Sequence, residues 1–313
     1  MKNINLNSLL KRAKKLPALR TAVVHPVTVE ALTGLDEAAK EKLIIPVLIG
    51  PSHKIKRAAK DAKVNISSYE LIHTEHSHAA AEQAVAMARA GEIEMLMKGS
   101  LHTDEFMHAA VDKVKGLRTA RRMSHVFVAE IKTYQKLLLL TDCALNILPT
   151  LMCKRDIVRN VIDLACALGI KMPKVAILSA IETIDDKLQS TIDAAALCKM
   201  VDRGQITDAI LDGPLALDNA ISARAAKTKL IISEVAGNAD ILLAPDLEAG
   251  NMLAKQLQYL GNARLAGIVL GARCPMVLTS RADEANARLI SCALGCLYRN
   301  FLIEKQLKCK KSS

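Results

Sequence analysis

Short apolar runs alternate along the chain with longer stretches in which apolar residues recur every three or four positions. The short runs have strand length: TAVVHP at 21–26, IPVLIG at 45–50, EMLMKG at 94–99, HVFVAEI at 125–131 and KLLLLTD at 136–142. They continue with KVAILS at 174–179, DAILDG at 208–213, ILLAP at 241–245, GIVLG at 267–271 and MVLTS at 276–280. Several are apolar throughout, as strands covered on both faces are. Between them lie Ala-rich amphipathic segments at 77–91, 155–169, 190–204, 250–261 and 283–297, some closing on glycine, a common helix stop. This alternation predicts an α/β fold with helices on both faces of largely parallel sheets. Ten strands exceed one ordinary small sheet, so the expectation is two α/β/α domains with an interdomain cleft. The break is placed near DCALNILPTLM, giving 1–145 plus roughly 285–313 as the first domain and 146–284 as the second.

Composition narrows the function classes. Of 313 residues 51% are hydrophobic, yet no apolar run approaches the ~20 residues a membrane crossing needs. The basic N-terminus lacks the apolar core of a signal peptide, so the expectation is a soluble cytoplasmic protein with no membrane partner. The 8 cysteines form no CxxC pair. Only Cys292 and Cys296 share a helical spacing, and no His or carboxylate cluster accompanies them. They read as buried free thiols in a reducing compartment rather than as metal ligands. A net charge of +11 admits nucleic acid or anionic small molecules. Aromatic residues at 2%, without Trp, leave no stacking platform for single strands, and no zinc-finger or basic-zipper pattern occurs. The expectation is a phosphate-bearing small molecule and no nucleic acid.

In open α/β sheets ligands gather beyond the C-terminal strand ends. After the third strand stand Lys98, Gly99, His102 and Thr103, and after the seventh Asp212 and Asp218. After the eighth stand Asp246, Glu248, Gly250 and Asn251, and after the tenth Ser280, Arg281 and Asp283. Arg118, Arg121 and Arg122 lie in GLRTARRMSHV. Each has a plain structural reading too. Lys98 fits a solvated lysine, His102 and His108 fit surface or satisfied core histidines, and the three arginines fit a charged loop. Asp218 and Asn251 fit turns or helix caps, and Ser280 with Asp283 resembles a variant capping box. In the functional reading Ser280 and the N–H groups of a helix start hold a phosphate, and Arg281 adds a two-pronged charge-assisted contact. No GxGxxG, GxxxxGK[ST] or GxSxG occurs at a strand end, which removes support for dinucleotide redox chemistry, nucleoside triphosphate hydrolysis and a serine nucleophile.

Several segments together resemble one family. They are MLMKGSLHTDEFMHAAVDK (95–113), GLRTARRMSHV (116–126), STIDAAALCKMVDRGQITDAILDGPLALDNAIS (190–222), SEVAGNADILLAPDLEAGNMLAKQLQYL (233–260) and GARCPMVLTSRAD (271–283). In this order they resemble the phosphate acetyltransferase/phosphate butyryltransferase family, with LTSRAD nearer the butyryltransferase-like branch. The resemblance implies reversible transfer of a short acyl group (acetyl, propionyl or butyryl) between coenzyme A and inorganic phosphate, through acyl phosphate. It also implies a fold similar to the isocitrate and isopropylmalate dehydrogenases, a homodimer, coenzyme A as substrate, no tightly bound cofactor and no catalytic metal. Carried over, Ser280 and Arg281 hold the phosphate or acyl-phosphate oxygens. Lys98, Gly99, Thr103, Arg122, Asp218, Gly250 and Asn251 are expected to bind phosphate or coenzyme A. Three positions depart from the family pattern. Ala287 stands where acetyltransferases have their proposed basic Asp, His108 where they have an Arg, and Tyr259 where they have another Arg. Asp283 and His108 are therefore expected to join the catalytic group, and Tyr259 the binding group. The alternative expectation is a protein of the same fold that binds acyl-CoA or acyl phosphate with weak or no catalysis.

Overall fold

The computed structural model describes residues 4–278 and 285–312. Contacts divide the chain into two compact units, residues 6–121 with 266–313, and residues 122–265 with the first five. The sequence-based divisions fall instead near 145 and 285.

The first unit opens with α1 (Leu6–Ala13), β1 (Leu19–Val24), α2 (Val29–Lys40), β2 (Ile44–Gly50) and α3 (Ser52–Asp61). It continues with β3 (Glu70–His73), α4 (Ser77–Ala90), β4 (Met95–Lys98) and α5 (Thr103–Val111). Local chemistry sets the helix ends. The Thr28 hydroxyl accepts from the Ala31 N–H at the start of α2, and His76 caps α4 on the Ala79 N–H. Gly91 ends α4 at φ 80°, a left-handed conformation that costs glycine little.

The second unit holds β5 (Ser124–Glu130), β6 (Leu138–Thr141), α6 (Leu151–Leu168), β7 (Lys174–Leu178), α7 (Gln189–Asp202) and β8 (Ile210–Leu215). Then come α8 (Leu217–Ile221), α9 (Ala223–Thr228), β9 (Ile241–Leu243) and α10 (Leu247–Tyr259). Its strands lie in the order β5-β6-β9-β7-β8, antiparallel only between β5 and β6. Because β5 pairs with β6 and β6 with β9, all of 124–141 belongs with this unit rather than with the residues before it. Its core gathers Leu140, Leu178, Leu215, Val235 and Leu242, all nearly inaccessible to water.

The chain leaves the second unit within β10 (Arg264–Leu270), then forms β11 (Met276–Val277) and α11 (Ala285–Ser312). In the first unit the strand order is β3-β2-β1-β4-β11-β10, parallel except between β10 and β11. Helices α4 and α5 pack together, while α2 packs with α3 and α11, and α11 with α1. Both α4 and α2 rest on β2, so the sheet runs between the two helix groups. Each unit thus mixes helices with a mostly parallel sheet. Among the described residues each of the ten sequence-expected strands is present at least in part, and the edge strand β3 is an eleventh. Among the described residues, no helix is long and apolar enough to cross a membrane.

Candidate active site

The order β3-β2-β1-β4 places β2 and β3 on one side of β1 and returns the chain to the other side at β4. Successive crossovers therefore part above the C-terminal ends of β1 and β4, which is where ligands settle in such sheets. Val24 and Lys98 are partners in register at those ends. Lys98 is not solvated: it is 5% exposed, and its Nζ donates to the Leu101 carbonyl at 3.1 Å. A buried ammonium is costly unless its surroundings compensate, which favours anionic company.

The loop after β4 is sewn to the loop after β1. The Gly99 N–H donates to the Val24 carbonyl at 2.9 Å and the Ser100 N–H to the His25 carbonyl at 3.0 Å. A Cβ at position 99 would stand 2.4 Å from the Val24 oxygen, so the KG pair needs its glycine for close approach. Ser100 Oγ accepts from the Val27 N–H at 3.3 Å and donates to Thr28 Oγ1 at 3.1 Å. Thr103 begins α5 and His108 stands in its last turn, both exposed.

His25 was not among the residues the sequence singled out. It follows β1 at φ 55°, in the left-handed region, and its N–H donates to Ile49 O at 2.7 Å. Its ring is half-buried, and Nδ1 is inaccessible with no hydrogen-bond partner among the described residues. Burial lowers its pKa first, the Lys54 cation lowers it further, and Glu105 opposes both. Glu105 Oε2, in the first turn of α5, is likewise buried and without a partner among the described residues. The signal was present in TAVVHP, but counting His25 as strand hid a polar residue at a strand end.

On the other side of β4, β11 pairs Val277 with Met97. Ser280, Arg281 and Asp283 lie outside the described residues. Ala287, in α11, accepts from the Ser291 hydroxyl through its carbonyl at 2.8 Å.

In the second unit the loop after β6 brings several candidates together. Arg122 Nε donates to Asn146 Oδ1 at 3.0 Å, and the Arg122 N–H to Asp156 Oδ2 at 3.1 Å. Asn146 Nδ2 donates to Asp142 Oδ2 at 2.5 Å and to the Met123 carbonyl at 2.9 Å. Asp142 is 3% exposed and also accepts from the N–H groups of His125, Ala144, Leu145 and Asn146. Burial raises its pKa, and these hydrogen bonds work against that rise. Gly250 carries α10 onto the same loop, since a Cβ there would lie 2.3 Å from the Asp142 carbonyl oxygen. Asn251 Nδ2 donates to the Cys143 carbonyl at 3.2 Å. It is not the cap of α10; Asp246 is, accepting from the Ala249 N–H at 2.8 Å. Arg122, Gly250 and Asn251 thus all meet the loop after β6, which holds Asp142 and Asn146, two residues the sequence reading passed over.

Two candidates stand elsewhere in that unit. Asp218 is exposed on α8 and pairs with Lys229, which also meets Glu182. Tyr259 closes α10 with the Lys255 ammonium over its ring, and eight residues of helix, roughly 12 Å, separate it from Asn251.

His125, at 2% exposure, is pushed down to about 4 by burial and stays neutral near pH 7. Cys143, Cys274, Cys292 and Cys296 are buried free thiols. Burial raises all four, Cys274 and Cys296 to about 12. Among the described residues no group of three or more His, Cys, Asp or Glu is arranged to hold a metal ion. A cavity of about 500 Å³ lined by Arg20, Lys40, Pro46, Tyr69 and Glu70 opens at the starts of β1, β2 and β3, the ends of those strands opposite His25 and Lys98.

The fold places the chain in the class of phosphotransacylase-like α/β proteins. It superposes on a branched-chain phosphotransacylase from Enterococcus faecalis V583 with a TM-score of 0.77 and 29% identity, over 90% of this chain and 99% of that one. A phosphotransacetylase from Streptococcus pyogenes shares the fold at TM-score 0.80 and 20% identity, over 95% and 99% of the two chains. In sequence, the chain is 56% identical to a phosphate acetyltransferase of Rickettsia felis over 293 residues, 93% of this chain and 84% of that protein. It is 39% identical to a phosphate butyryltransferase of Clostridium beijerinckii over 94% of this chain and 97% of that protein. The family model described as Phosphate acetyl/butaryl transferase matches residues 77–296, and the chain belongs to that family.

Proposed function

We propose that the protein reversibly transfers a short acyl group (acetyl, propionyl or butyryl) between coenzyme A and inorganic phosphate. The observation that carries this reading is the agreement of nearly the whole chain with relatives named for both acetyl and butyryl transfer. In the acyl-phosphate direction the coenzyme A thiol, with a pKa of about 8.5 by analogy with cysteine, loses its proton and attacks the acyl carbon. A tetrahedral oxyanion forms, and cationic groups lower that barrier. Ser280 acts as a ligand or oxyanion donor rather than as a nucleophile, and Arg281 grips the phosphate oxygens. Lys98, Gly99 and Thr103 contribute anion contacts in the first unit. Arg122, Gly250 and Asn251 do so around the loop after β6, with Asp218 and Tyr259 as further substrate contacts. His108 and Asp283 are the titratable groups that the sequence adds to the reacting centre. No tightly bound cofactor and no catalytic metal take part, and the working form is a cytoplasmic homodimer. The free thiols suit a reducing compartment.

Purified, folded protein supplied with phosphate and acetyl-, propionyl- or butyryl-CoA is expected to release the free thiol. Absence of turnover with all three would sink the proposal. A sizing measurement that finds only monomer would remove the dimer.

A further inference from the structure

Thiol attack on an acyl phosphate needs a proton acceptor, and position 287, on α11, carries Ala. We propose that the imidazole of His25, at the C-terminal end of β1, accepts the coenzyme A proton. This inference rests on the acyl-transfer reading given above.

Four observations converge on His25. It stands at the point where the crossovers part, one residue beyond Val24, the partner of Lys98 on the neighbouring strand, about 4.8 Å away. Its backbone is held on three sides: by Ile49 O at its N–H, and by the N–H groups of Val27 and Ser100 at its carbonyl. The left-handed φ of 55° is held in place by this lacing and takes the backbone out of the strand conformation. Finally, among the described residues its Nδ1 and the Glu105 Oε2 are both buried without partners, which in a protein interior calls for ordered water, a ligand or a reacting group.

The charged groups around the ring are Lys54 on α3 and Glu105 on α5, and Lys98 ends the adjoining strand. With burial and Lys54 lowering its pKa, the ring is neutral near pH 7, the state a base requires. Glu105 then stabilises the imidazolium that forms, as a carboxylate does beside a catalytic histidine. In the forward step the S–H proton passes to the ring as the sulfur–carbon bond forms. The carbon–oxygen bond to phosphate breaks as the tetrahedral intermediate collapses. The imidazolium then returns its proton to the departing phosphate, which leaves as hydrogen phosphate. The reverse step runs through the same atoms.

The test is His25→Asn, because asparagine tolerates a left-handed backbone. With acyl phosphate and coenzyme A, kcat is expected to fall about 100-fold to 10,000-fold, the range for losing a general base. The KM for coenzyme A should stay within about threefold, because the loss is in proton transfer rather than in binding. The wild-type acid limb should vanish, and the residual rate should climb tenfold per pH unit with the thiolate fraction. Glu105→Gln should move the acid limb of the wild-type profile to lower pH, an effect that a purely structural role would not produce. If Asn prevents folding, His25→Gly fits the same φ, and added imidazole is expected to restore its rate. Either variant turning over within about threefold of an active wild type, with the acid limb kept, would overturn the assignment alone. A wild type that turns over no acyl phosphate would overturn the functional reading, and the assignment with it.

Discussion

The loop after β4 in the first unit adjoins Lys98, the loop after β6 in the second holds Arg122, and the two are built in opposite ways. The first is backbone against backbone: Gly99 and Ser100 donate to the carbonyls of Val24 and His25, and glycine permits the approach. The second is organised by one buried carboxylate, Asp142, which gathers four backbone N–H groups and the Asn146 amide that in turn holds Arg122. A backbone-built loop leaves its side chains available for chemistry. A carboxylate-built loop makes its stability depend on a charged group kept out of water.

The widest separation between the two loops is expected from Asp142→Ala. It strands several buried N–H groups and should cost on the order of 3 kcal/mol or more of stability. A denaturant midpoint close to wild type would show that the carboxylate is not the organiser. Acid should find the same weak point. His125, beside Asp142, is held near 4 in the folded chain and titrates near 6.5 when unfolded. Between those values the unfolded state binds more protons, so stability present above pH 6.5 is lost as pH falls towards 4, by up to ~3 kcal/mol. His125→Leu should flatten the dependence of Tm on pH across that window, and an unchanged slope would remove His125 as its cause.

For the backbone-built loop the expectation inverts. Lys98→Met should lower turnover about 100-fold, near 2.7 kcal/mol of barrier, while shifting Tm little. A large fall in Tm with normal kcat would make Lys98 a structural residue. The smallest effect is reserved for Gly99→Ala, an overpacking of about 1–3 kcal/mol against the Val24 carbonyl. A Tm equal to wild type would mean that the loops part without cost.

Much of the fold was legible because apolar runs that are buried on both faces are conspicuous in sequence. The edge strand β3 was not. Its ELIH is only partly buried, and an edge carries no such run. Helix α2 was also passed over, although Thr28 and the spacing of Ala31, Leu32 and Leu35 announce it. The sequence singled out Lys98, Gly99, Gly250 and Asn251 because they follow apolar runs, and Arg122 because it stands in a cluster of arginines. It concealed His25 and Asp142 for one shared reason. Each closes an apolar run and was counted as strand, whereas β1 stops at Val24 and β6 at Thr141. Where a strand stops depends on backbone conformation and on partners far away in sequence, and a hydrophobicity pattern carries neither.

The raised thiols bear on how such an enzyme is followed at the bench. Cys143, Cys274, Cys292 and Cys296 stay protonated at the mildly alkaline pH where coenzyme A is partly thiolate. Chromogenic disulfide reagents consume thiolates, so these four side chains react slowly while released coenzyme A reacts at once. Once the partly exposed Cys153, Cys166 and Cys198 are allowed for, fast colour counts product, and a slow later rise would time the opening of the protein's own interior.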